Sequence, residues 1–401
     1  MTHYRNKDDQ LNWGSGGDVV LANPQWIKKE PHAWDMVRTK LPHLGGHVWV
    51  STSGTSAAHD GVLRWVALSQ TAILSSAVGV NAHLQCDAKD VWIHALPLFH
   101  VAGIGILARA HLSGARIVPG TANGAWHPRA FYDAAAEYRA TVSALVPTQL
   151  HDLVALGLRC PPTLRAVVIG GAKLDGTLRQ EAIRLGWPCL ASYGMTETCS
   201  QIATAPLGSV VDAEQPLVLL GHASACIAST GKIRIAGTSL LTCYAEISEN
   251  VHVWDPKCDG WFETDDLGEI DGASLCVLGR SSDSVKVLGE KVYLQQIEGK
   301  IGAVRIPCVD FAIIALPHPR LGAELVLCIV GMTDPVETLL LDVNRVLLPY
   351  ERLRRAVSVG SIPRTALGKA RRALLAVEIC DSQPSTDNQT SEKSRHAFST
   401  S

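Results

Sequence analysis

The chain has 401 residues, of which 47% are hydrophobic and 18% are charged, and its formal net charge is −2. This composition is typical of a globular protein with roughly two or three domains. Because the charge is near neutral and no basic block stands out, a nucleic-acid partner is not expected.

The sequence also bears on the compartment. Residues 1–9 are polar and lack the apolar core of a signal peptide. No uncharged apolar run is long enough to span a membrane. The eleven cysteines are an odd number without a Cys-x-x-Cys pair, which favours reduced thiols over a disulfide framework or a zinc site. We therefore expect a cytoplasmic protein without a membrane span.

Strand-like and helix-like segments alternate in the first half of the chain. Ser69 is a candidate N-cap for the first long helix. The alternation predicts parallel strands with helices packed on the sheet, and ligands at the carboxyl ends of the strands. Strands are predicted at 47–50, 91–96, 115–118, 142–146 and 164–169, and helices at 68–84, 102–112, 128–138, 148–156 and 175–185.

The pattern changes after residue 201. Short extended pieces separated by Gly and Asp predict an antiparallel sheet or small barrel up to about residue 278, and a polar break at 279–284 predicts a hinge. The fold class is therefore α/β, with a large N-terminal domain of parallel sheets and helices, a small β-barrel-like part, and a small mobile α+β C-terminal domain. The predicted divisions are a lead-in at 1–46, a large domain at 47–280 (β-rich from about 210), a cap at 283–378 and a disordered tail at 381–401.

One stretch, Ser192-Tyr193-Gly194-Met195-Thr196-Glu197-Thr198, follows the end of an apolar strand. Gly194 permits a tight turn or the close approach of a ligand. The Thr196 hydroxyl and the Glu197 carboxylate suit a phosphate oxygen and a hard Mg²⁺ ion. Considered alone, the stretch is better explained as an ordinary turn after a strand.

Two further loops could bind parts of a nucleotide. The hydroxyl residues and glycine of Thr52-Ser53-Gly54-Thr55-Ser56 could surround a phosphate, although the P-loop pattern is missing and a surface turn is the commoner explanation. The paired glycines of Gly170-Gly171-Ala172 let a flat ring lie against bare backbone, or simply form a turn.

Three other segments carry polar groups that could belong to a functional site, and each of these groups also has a purely structural explanation. His100, beside Phe99 after a strand, could border an acyl pocket or belong to the core. Asp266 could accept ribose hydroxyl protons or lie in an acidic hairpin turn. Lys369 suits an anionic transition state, but it could equally be a solvated charge.

Together these motifs, in this order, resemble the adenylate-forming superfamily of acyl-CoA synthetases, luciferases and nonribosomal-peptide adenylation domains, over about residues 48–372. Within the superfamily, residues 192–204 most resemble the o-succinylbenzoate–CoA ligase family of menaquinone biosynthesis. The strongest motifs are Tyr193-Gly194-Met195-Thr196-Glu197, Trp261-Phe262-x-Thr264-x-Asp266-Leu267-Gly268 and Pro363-Arg364-Thr365-x-x-Gly368-Lys369.

The resemblance implies an enzyme that uses ATP and Mg²⁺ to turn a small carboxylic acid into an acyl-adenylate, from which the thiol of coenzyme A displaces AMP. The resemblance implies that the phosphates are bound by Thr52, Ser53, Gly54, Thr55, Ser56 and Arg64, and that adenine is bound by Gly170, Gly171, Ala172, Tyr193 and Gly194.

It also implies single residues for the other groups. Thr196 would bind the α-phosphate, Glu197 the Mg²⁺ ion and Asp266 the ribose, with Arg280 close by. Lys369 would lie between the carboxylate and the α-phosphate, His100 at the acyl pocket and Gly289 at the coenzyme A tunnel.

Three departures from the family pattern stand out. The phosphate loop is longer than usual and lacks its second glycine. The hinge position holds Ser282 instead of aspartate, with Asp283 next to it. The short segment before the loop predicts a reduced N-terminal subdomain. Two alternatives therefore remain: another acyl-CoA or aryl-CoA synthetase, or a degenerate, non-catalytic nucleotide-binding homologue. A homo-oligomer is left open.

Overall fold

The structure is a computed structural model that describes most of the chain between residues 11 and 381. The predicted phosphate loop, Ser282, Lys369 and residues 382–401 of the predicted tail lie outside the described residues. The described ranges are 11–14, 16–51, 64–122, 124–174, 176–209, 217–248, 250–281, 283–302, 308–331, 336–364 and 370–381.

Within these ranges the chain forms strands, helices and a 3₁₀ turn at Thr196–Thr198. The strands are β1 Val19–Leu21, β2 His47–Ser51, β3 Arg64–Ser69, β4 Val91–His94, β5 Arg116–Pro119, β6 Val142–Leu145, β7 Ala166–Ile169, β8 Cys189–Met195, β9 Ser200–Thr204, β10 Leu217–Leu219, β11 Ala223–Ile227, β12 Lys232–Gly237, β13 Cys243–Ile247, β14 Val251–Trp254, β15 Phe262–Asp271, β16 Ser274–Arg280, β17 Ser284–Val287, β18 Glu290–Tyr293, β19 Asp310–His318, β20 Gly322–Val330 and β21 Arg355–Ser358. The helices are α1 Pro24–Lys29, α2 Pro31–Lys40, α3 Gln70–Leu84, α4 Val101–Ser113, α5 Pro128–Glu137, α6 Pro147–Ala155, α7 Gly176–Arg184, α8 Leu294–Gly302, α9 Val336–Asn344 and α10 Arg372–Asp381.

The central sheet has eleven strands in the order β11-β12-β15-β16-β10-β9-β8-β7-β6-β4-β5. Its strands from β5 to β8 are parallel and helices cover both faces. On one face Ile93 and Val167 pack with Phe131 of α5, and on the other Trp92 packs with Ile106 of α4. This arrangement confirms the predicted α/β class. Its physical reason is that parallel strands with apolar side chains on both faces need helices to cover both faces.

The antiparallel strands predicted after residue 201 are present, but they are divided between two sheets. Strands β10 to β12, β15 and β16 extend the central sheet, because β9 turns back antiparallel to β8. Strands β13 and β14 instead join a five-stranded sheet of order β1-β2-β3-β13-β14. The predicted strand at 47–50 belongs to this second sheet, where it pairs antiparallel with β3.

The last part of the chain has the predicted α+β composition. Strands β17 and β18 form a hairpin, and β19 to β21 form a three-stranded sheet. Helices α8 and α9 cover one side of that sheet and α10 packs against the other. The part meets the larger one where Thr177 Oγ1 donates a hydrogen bond to the Gly302 carbonyl at 2.8 Å. The domain boundaries and the mobility of the cap stay predictions.

Two local observations complete the fold. Ser69 accepts a hydrogen bond from the Ala72 amide at 3.1 Å, which confirms the predicted N-cap of α3. In the described part of the chain, no helix is both long enough and apolar enough to cross a membrane.

Candidate active site

The turn between β8 and β9 places Thr196 and Glu197 at the carboxyl end of the last parallel strand. Cys199 and Ser200 follow with φ values of 54° and 127°, a region that non-glycine residues rarely adopt. The buried Thr198 hydroxyl donates to the Ser200 carbonyl at 2.7 Å and holds this backbone. Strained backbone of this kind is concentrated at functional sites.

Gly194 is required by the packing of the chain on itself. A Cβ atom at this position would collide with the carbonyl oxygen of Ser200 on the neighbouring strand β9. The register of the two strands also shifts between Tyr193 and Gly194. The tight backbone approach predicted for Gly194 therefore occurs between two strands, and a contact with a ligand there stays a prediction.

Three predicted nucleotide residues from three strands form one connected set. The Tyr193 hydroxyl donates to Asp266 Oδ2 at 2.9 Å, and Arg280 Nε lies 3.4 Å from Asp266 Oδ1. Asp266 and Arg280 are also direct cross-strand partners on β15 and β16. Burial and the neighbouring Asp266 charge raise the pKa of Tyr193 well above its usual value, so the phenol remains a donor. Asp266 is thus held in a fixed orientation from both sides.

Glu197 is fixed by a segment that lies far from it in sequence. The buried Tyr244 hydroxyl donates to Glu197 Oε1 at 2.8 Å, and the Leu241 amide donates to the Glu197 carbonyl at 2.8 Å. Burial and the Glu197 charge raise the pKa of the Tyr244 phenol, which therefore stays protonated.

This arrangement fits Mg²⁺, which proteins usually bind through one or two carboxylates together with substrate phosphates. A carboxylate carries lone pairs beyond the one that accepts the phenol proton, so Glu197 keeps hard oxygen donors. In the described part of the chain, no three acidic, His or Cys side chains form a ready-made metal cage. An ion bound here would be held by Glu197 together with the phosphates of a nucleotide.

The predicted adenine loop lies beside Tyr193. Strands β7 and β8 are parallel neighbours, so Gly170 and Gly171 leave the sheet next to the end of β8. Gly171 has φ +83°, which favours glycine, and the Ser192 hydroxyl donates to the Ile169 carbonyl at 2.9 Å. The structure places Gly170 beside Ser192, the residue that precedes Tyr193, and a contact of Gly170, Gly171, Ala172 or Tyr193 with adenine stays a prediction.

His100 and Gly289 occupy distinct positions. His100 precedes α4, and its ring centroid lies 4.6 Å from that of Phe99. Its Nε2 is buried without a hydrogen-bond partner among the described residues, and burial lowers the pKa of the ring. A neutral imidazole with an unused nitrogen suits a pocket wall. Gly289, with φ +89°, forms the β17–β18 turn together with Leu288, and its role at the coenzyme A tunnel stays a prediction.

Arg64 opens β3 and points to a neighbouring strand. Its Nη2 lies 2.9 Å from Glu246 Oε1, and its guanidinium lies 5.1 Å from the centre of the Tyr244 ring. Its predicted phosphate contact stays a prediction, because the loop before it lies outside the described residues.

The residues that flank Lys369 are firmly held. Arg364 and Ala370 form an isolated antiparallel bridge with each other. Arg372 Nη1 contacts Asp283 at 2.9 Å, and Arg372 Nη2 contacts Glu298 at 2.6 Å. Asp283, which follows the predicted hinge position, is therefore tied to the segment just after Lys369.

Arg109 is a buried cation close to the Glu197 turn that was not among the candidate residues from the sequence. The Arg109 guanidinium is 1% exposed and donates through Nη2 to Ser200 Oγ at 2.9 Å and to Gln201 Oε1 at 3.1 Å. No acidic side chain of the described residues forms an ion pair with it, and burial lowers its pKa to about 10. The feature of the sequence that could have identified Arg109 is its position as a charged residue within the apolar helix at 101–113. A buried cation without an acid partner is a candidate anion site.

Comparison with known proteins agrees with this geometry. The AMP-binding enzyme family matches residues 49–237. A 2-succinylbenzoate–CoA ligase of Bacillus licheniformis is 33% identical over 264 residues, which are 62% of this chain and 52% of the relative. One from Listeria monocytogenes is 28% identical over 363 residues, 86% of this chain and 72% of the relative. The chain thus spans about half the length of the first of these relatives.

Solved structures share the fold. An o-succinylbenzoate CoA synthetase from Bacillus subtilis in complex with the acyl-adenylate intermediate OSB-AMP has a TM-score of 0.75 at 23% identity, covering 90% of this chain and 78% of that one. The same synthetase with ATP and a magnesium ion has a TM-score of 0.74 at 22% identity, covering 90% and 79%. At these identities the likeness establishes the fold alone. Residues 49–237 of this chain thus match the model of the AMP-binding enzyme family, and the described chain has the fold of these solved synthetases.

Proposed function

We propose that the protein is an ATP-dependent acid–thiol ligase. It forms an acyl-adenylate from a carboxylic acid and then an acyl-CoA thioester. The observation that carries the proposal is the connected set of Tyr193, Asp266 and Arg280, which lies at the same junction of strands as the turn with Thr196 and Glu197. These are the residue types that ribose hydroxyls, a phosphate and Mg²⁺ require.

The chemistry assigns each group a task. A carboxylate is a poor electrophile, and transfer of AMP makes it an activated ester. Mg²⁺, bound at Glu197, would neutralise phosphate charge. Asp266, oriented by Tyr193 and Arg280, accepts the ribose hydroxyl protons, while Thr196 donates to the α-phosphate. Lys369 neutralises the charge between carboxylate and α-phosphate as they align.

The cap comprises residues 283–378 in this proposal, and the large domain residues 47–280. Closure of the cap brings Lys369 to the nucleotide for the first half-reaction. A second orientation presents the Gly289 turn to coenzyme A, which is a lid-type switch. The reaction takes place in the cytoplasm, and the number of subunits in the active form is open to measurement.

We propose o-succinylbenzoate as the acid, as in menaquinone biosynthesis. The curated relatives from B. licheniformis and L. monocytogenes bear the name 2-succinylbenzoate–CoA ligase. The buried Arg109, whose side-chain partners in the described structure are the neutral oxygens of Ser200 and Gln201, adds support. A dicarboxylic acid brings a second negative charge that such a cation can bind, whereas a fatty acid would require an apolar wall.

A screen of pyrophosphate release over a panel of carboxylic acids, with and without coenzyme A, tests the proposal. We expect release with o-succinylbenzoate and a thioester product only when coenzyme A is present. Release with a different acid alone would reassign the protein to another acyl-CoA or aryl-CoA synthetase. ATP binding without release on any acid would indicate a non-catalytic homologue.

The variant Lys369→Ala separates the two half-reactions. We expect adenylation to slow by about 100-fold or more, which is typical of losing a group that stabilises transition-state charge. Thioester formation from supplied acyl-adenylate should be largely retained. Lys89→Ala, which removes an exposed lysine of the large domain, is the control and should leave both rates unchanged. Equal loss of both half-reactions, or of neither, would refute the role of Lys369.

A further inference from the structure

We propose that Tyr244 is a positioning residue for the metal-binding carboxylate of Glu197, and that Arg64 holds Tyr244 in place. This inference rests on the proposed function. It assigns a role in Mg²⁺ binding to two side chains that are not expected to touch the ion.

The first step is the direct contact. The Tyr244 hydroxyl lies 2.8 Å from Glu197 Oε1, and the tyrosine is 6% exposed. The same segment of chain also binds the backbone of Glu197, through the Leu241 amide at 2.8 Å. The glutamate is therefore held at two points, one on its main chain and one on its carboxylate.

The second step is the support behind the phenol. Arg64 lies over two rings, 5.1 Å from the centre of Tyr244 and 5.3 Å from that of Trp254. Its Nε and Nη2 both donate to Glu246 Oε1, at 3.0 and 2.9 Å. Since Glu246 and Arg64 are direct partners on β13 and β3, the sheet itself fixes the cation against the Tyr244 ring.

The third step is location. Arg64 is the first described residue after the segment that contains the predicted phosphate loop. Tyr244 lies on the strand paired with β3. One pair of strands thus carries Arg64, the residue that follows that segment, and Tyr244, the residue that contacts Glu197. A shift of β3 would move the Tyr244 phenol, and with it the carboxylate.

The physical consequence concerns orientation. A free glutamate side chain populates several rotamers, and ordering it on metal binding costs conformational entropy. A phenol that already fixes one oxygen removes part of that cost. Groups that orient a metal ligand in this way typically change metal affinity by about 10–100-fold when they are removed.

The test is Tyr244→Phe, which keeps the ring and removes only the hydroxyl. ATP binding is measured by calorimetry on the full chain, once with Mg²⁺ and once with EDTA. We expect the affinity for ATP in Mg²⁺ to fall by about tenfold, and the affinity in EDTA to stay the same. Tyr132→Phe is the matched control, because Tyr132 also lies under an arginine, with Arg129 at 5.8 Å. It should change neither value.

Arg64→Ala separates support of Tyr244 from a direct phosphate contact. If Arg64 acts as a support, Arg64→Ala weakens ATP binding only in Mg²⁺. Its effect then does not add to that of Tyr244→Phe, because the two residues act on one carboxylate. Loss of affinity in EDTA would show that Arg64 acts on the phosphates instead and would overturn its part of the inference.

The outcomes distinguish the inference from the function beneath it. Equal affinity of wild type and Tyr244→Phe in Mg²⁺ would overturn the role of Tyr244 alone. An equal loss with Mg²⁺ and with EDTA would overturn it too, because it would indicate a damaged nucleotide pocket. Absence of Mg²⁺-dependent ATP binding by the wild type would overturn the proposed function itself. Circular dichroism and melting temperature confirm that each variant is folded.

Discussion

The two halves of the central sheet are built differently. In the parallel strand β4 every residue is buried, because helices cover both faces. In the antiparallel strand β12 buried and half-exposed residues alternate, because only one face is covered. Most side chains along the parallel strands are therefore apolar, and the candidate functional groups of this half lie near the strand ends.

The antiparallel half contributes polar side chains from within its strands. Asp266 lies inside β15 and accepts a hydrogen bond from Tyr193 near the end of β8, and Arg280, the last residue of β16, lies 3.4 Å from Asp266. The candidate site lies where the two halves meet. The difference teaches that one half supplies the precisely placed turn and the other supplies the charged partners that complete it.

The largest expected effect tests the two-sided burial of β4. Ile93→Ala and Trp92→Ala remove neighbouring side chains that point to opposite faces and are each 0% exposed. Each should lower the free energy of unfolding by about 2–5 kcal/mol, because a cavity remains in a packed core. Urea denaturation measures it. If either of the two costs less than about 1 kcal/mol, that face of the sheet is not packed as described.

A second prediction concerns the connection after β10, where His222 is buried near Arg109. Burial of the ring and the nearby Arg109 charge lower its pKa to about 4. The unfolded chain, with a His pKa of about 6.5, binds more protons below that pH. Stability should therefore be complete above pH 6.5 and fall as the pH drops towards 4, by up to about 3 kcal/mol.

The variant His222→Gln should show a shallower loss of melting temperature between pH 6.5 and 4 than the wild type. His151→Gln, at an exposed position on α6, is the control and should keep the wild-type slope. If His222→Gln also keeps that slope, His222 is not the group that titrates.

The smallest effect tests the open face of β12. Arg234 is half-exposed, and its guanidinium lies 5.6 Å from the centre of the Trp261 ring. Arg234→Ala should cost less than about 1 kcal/mol, the usual size of an exposed cation–π contact. Ile235→Ala, one residue along and 0% exposed, should cost about 2–5 kcal/mol. Similar costs at both positions in urea denaturation would contradict one-sided burial.

Local patterns predicted much of the fold. The predicted helix at 102–112 occurs at Val101–Ser113, and the one at 128–138 at Pro128–Glu137. These segments could be predicted from the sequence because helix starts, turns and apolar periodicity are local properties. The sheet to which each strand belongs could not be predicted, since β13 pairs with β3 across about 180 residues and no local feature selects that partner.

The candidate site shows the same division. Short motifs named Tyr193, Glu197, Asp266 and Arg280, and the structure brings these into one region, with direct contacts from Tyr193 and Arg280 to Asp266. Arg109 and Tyr244 were missed. Each lies in an apolar segment whose pattern indicates only core, and its partners are far away in sequence.

From its sequence alone this chain specified an α/β fold, the ends of many helices and strands, and the residue types of a nucleotide site, because these depend on neighbours within a few positions. Only the tertiary structure decided that Tyr244 faces Glu197, that Gly194 is needed by β9, and that the antiparallel strands serve two sheets. Those outcomes depend on close packing between segments that are distant in sequence. In such packing a single side chain or carbonyl can leave no room for another residue.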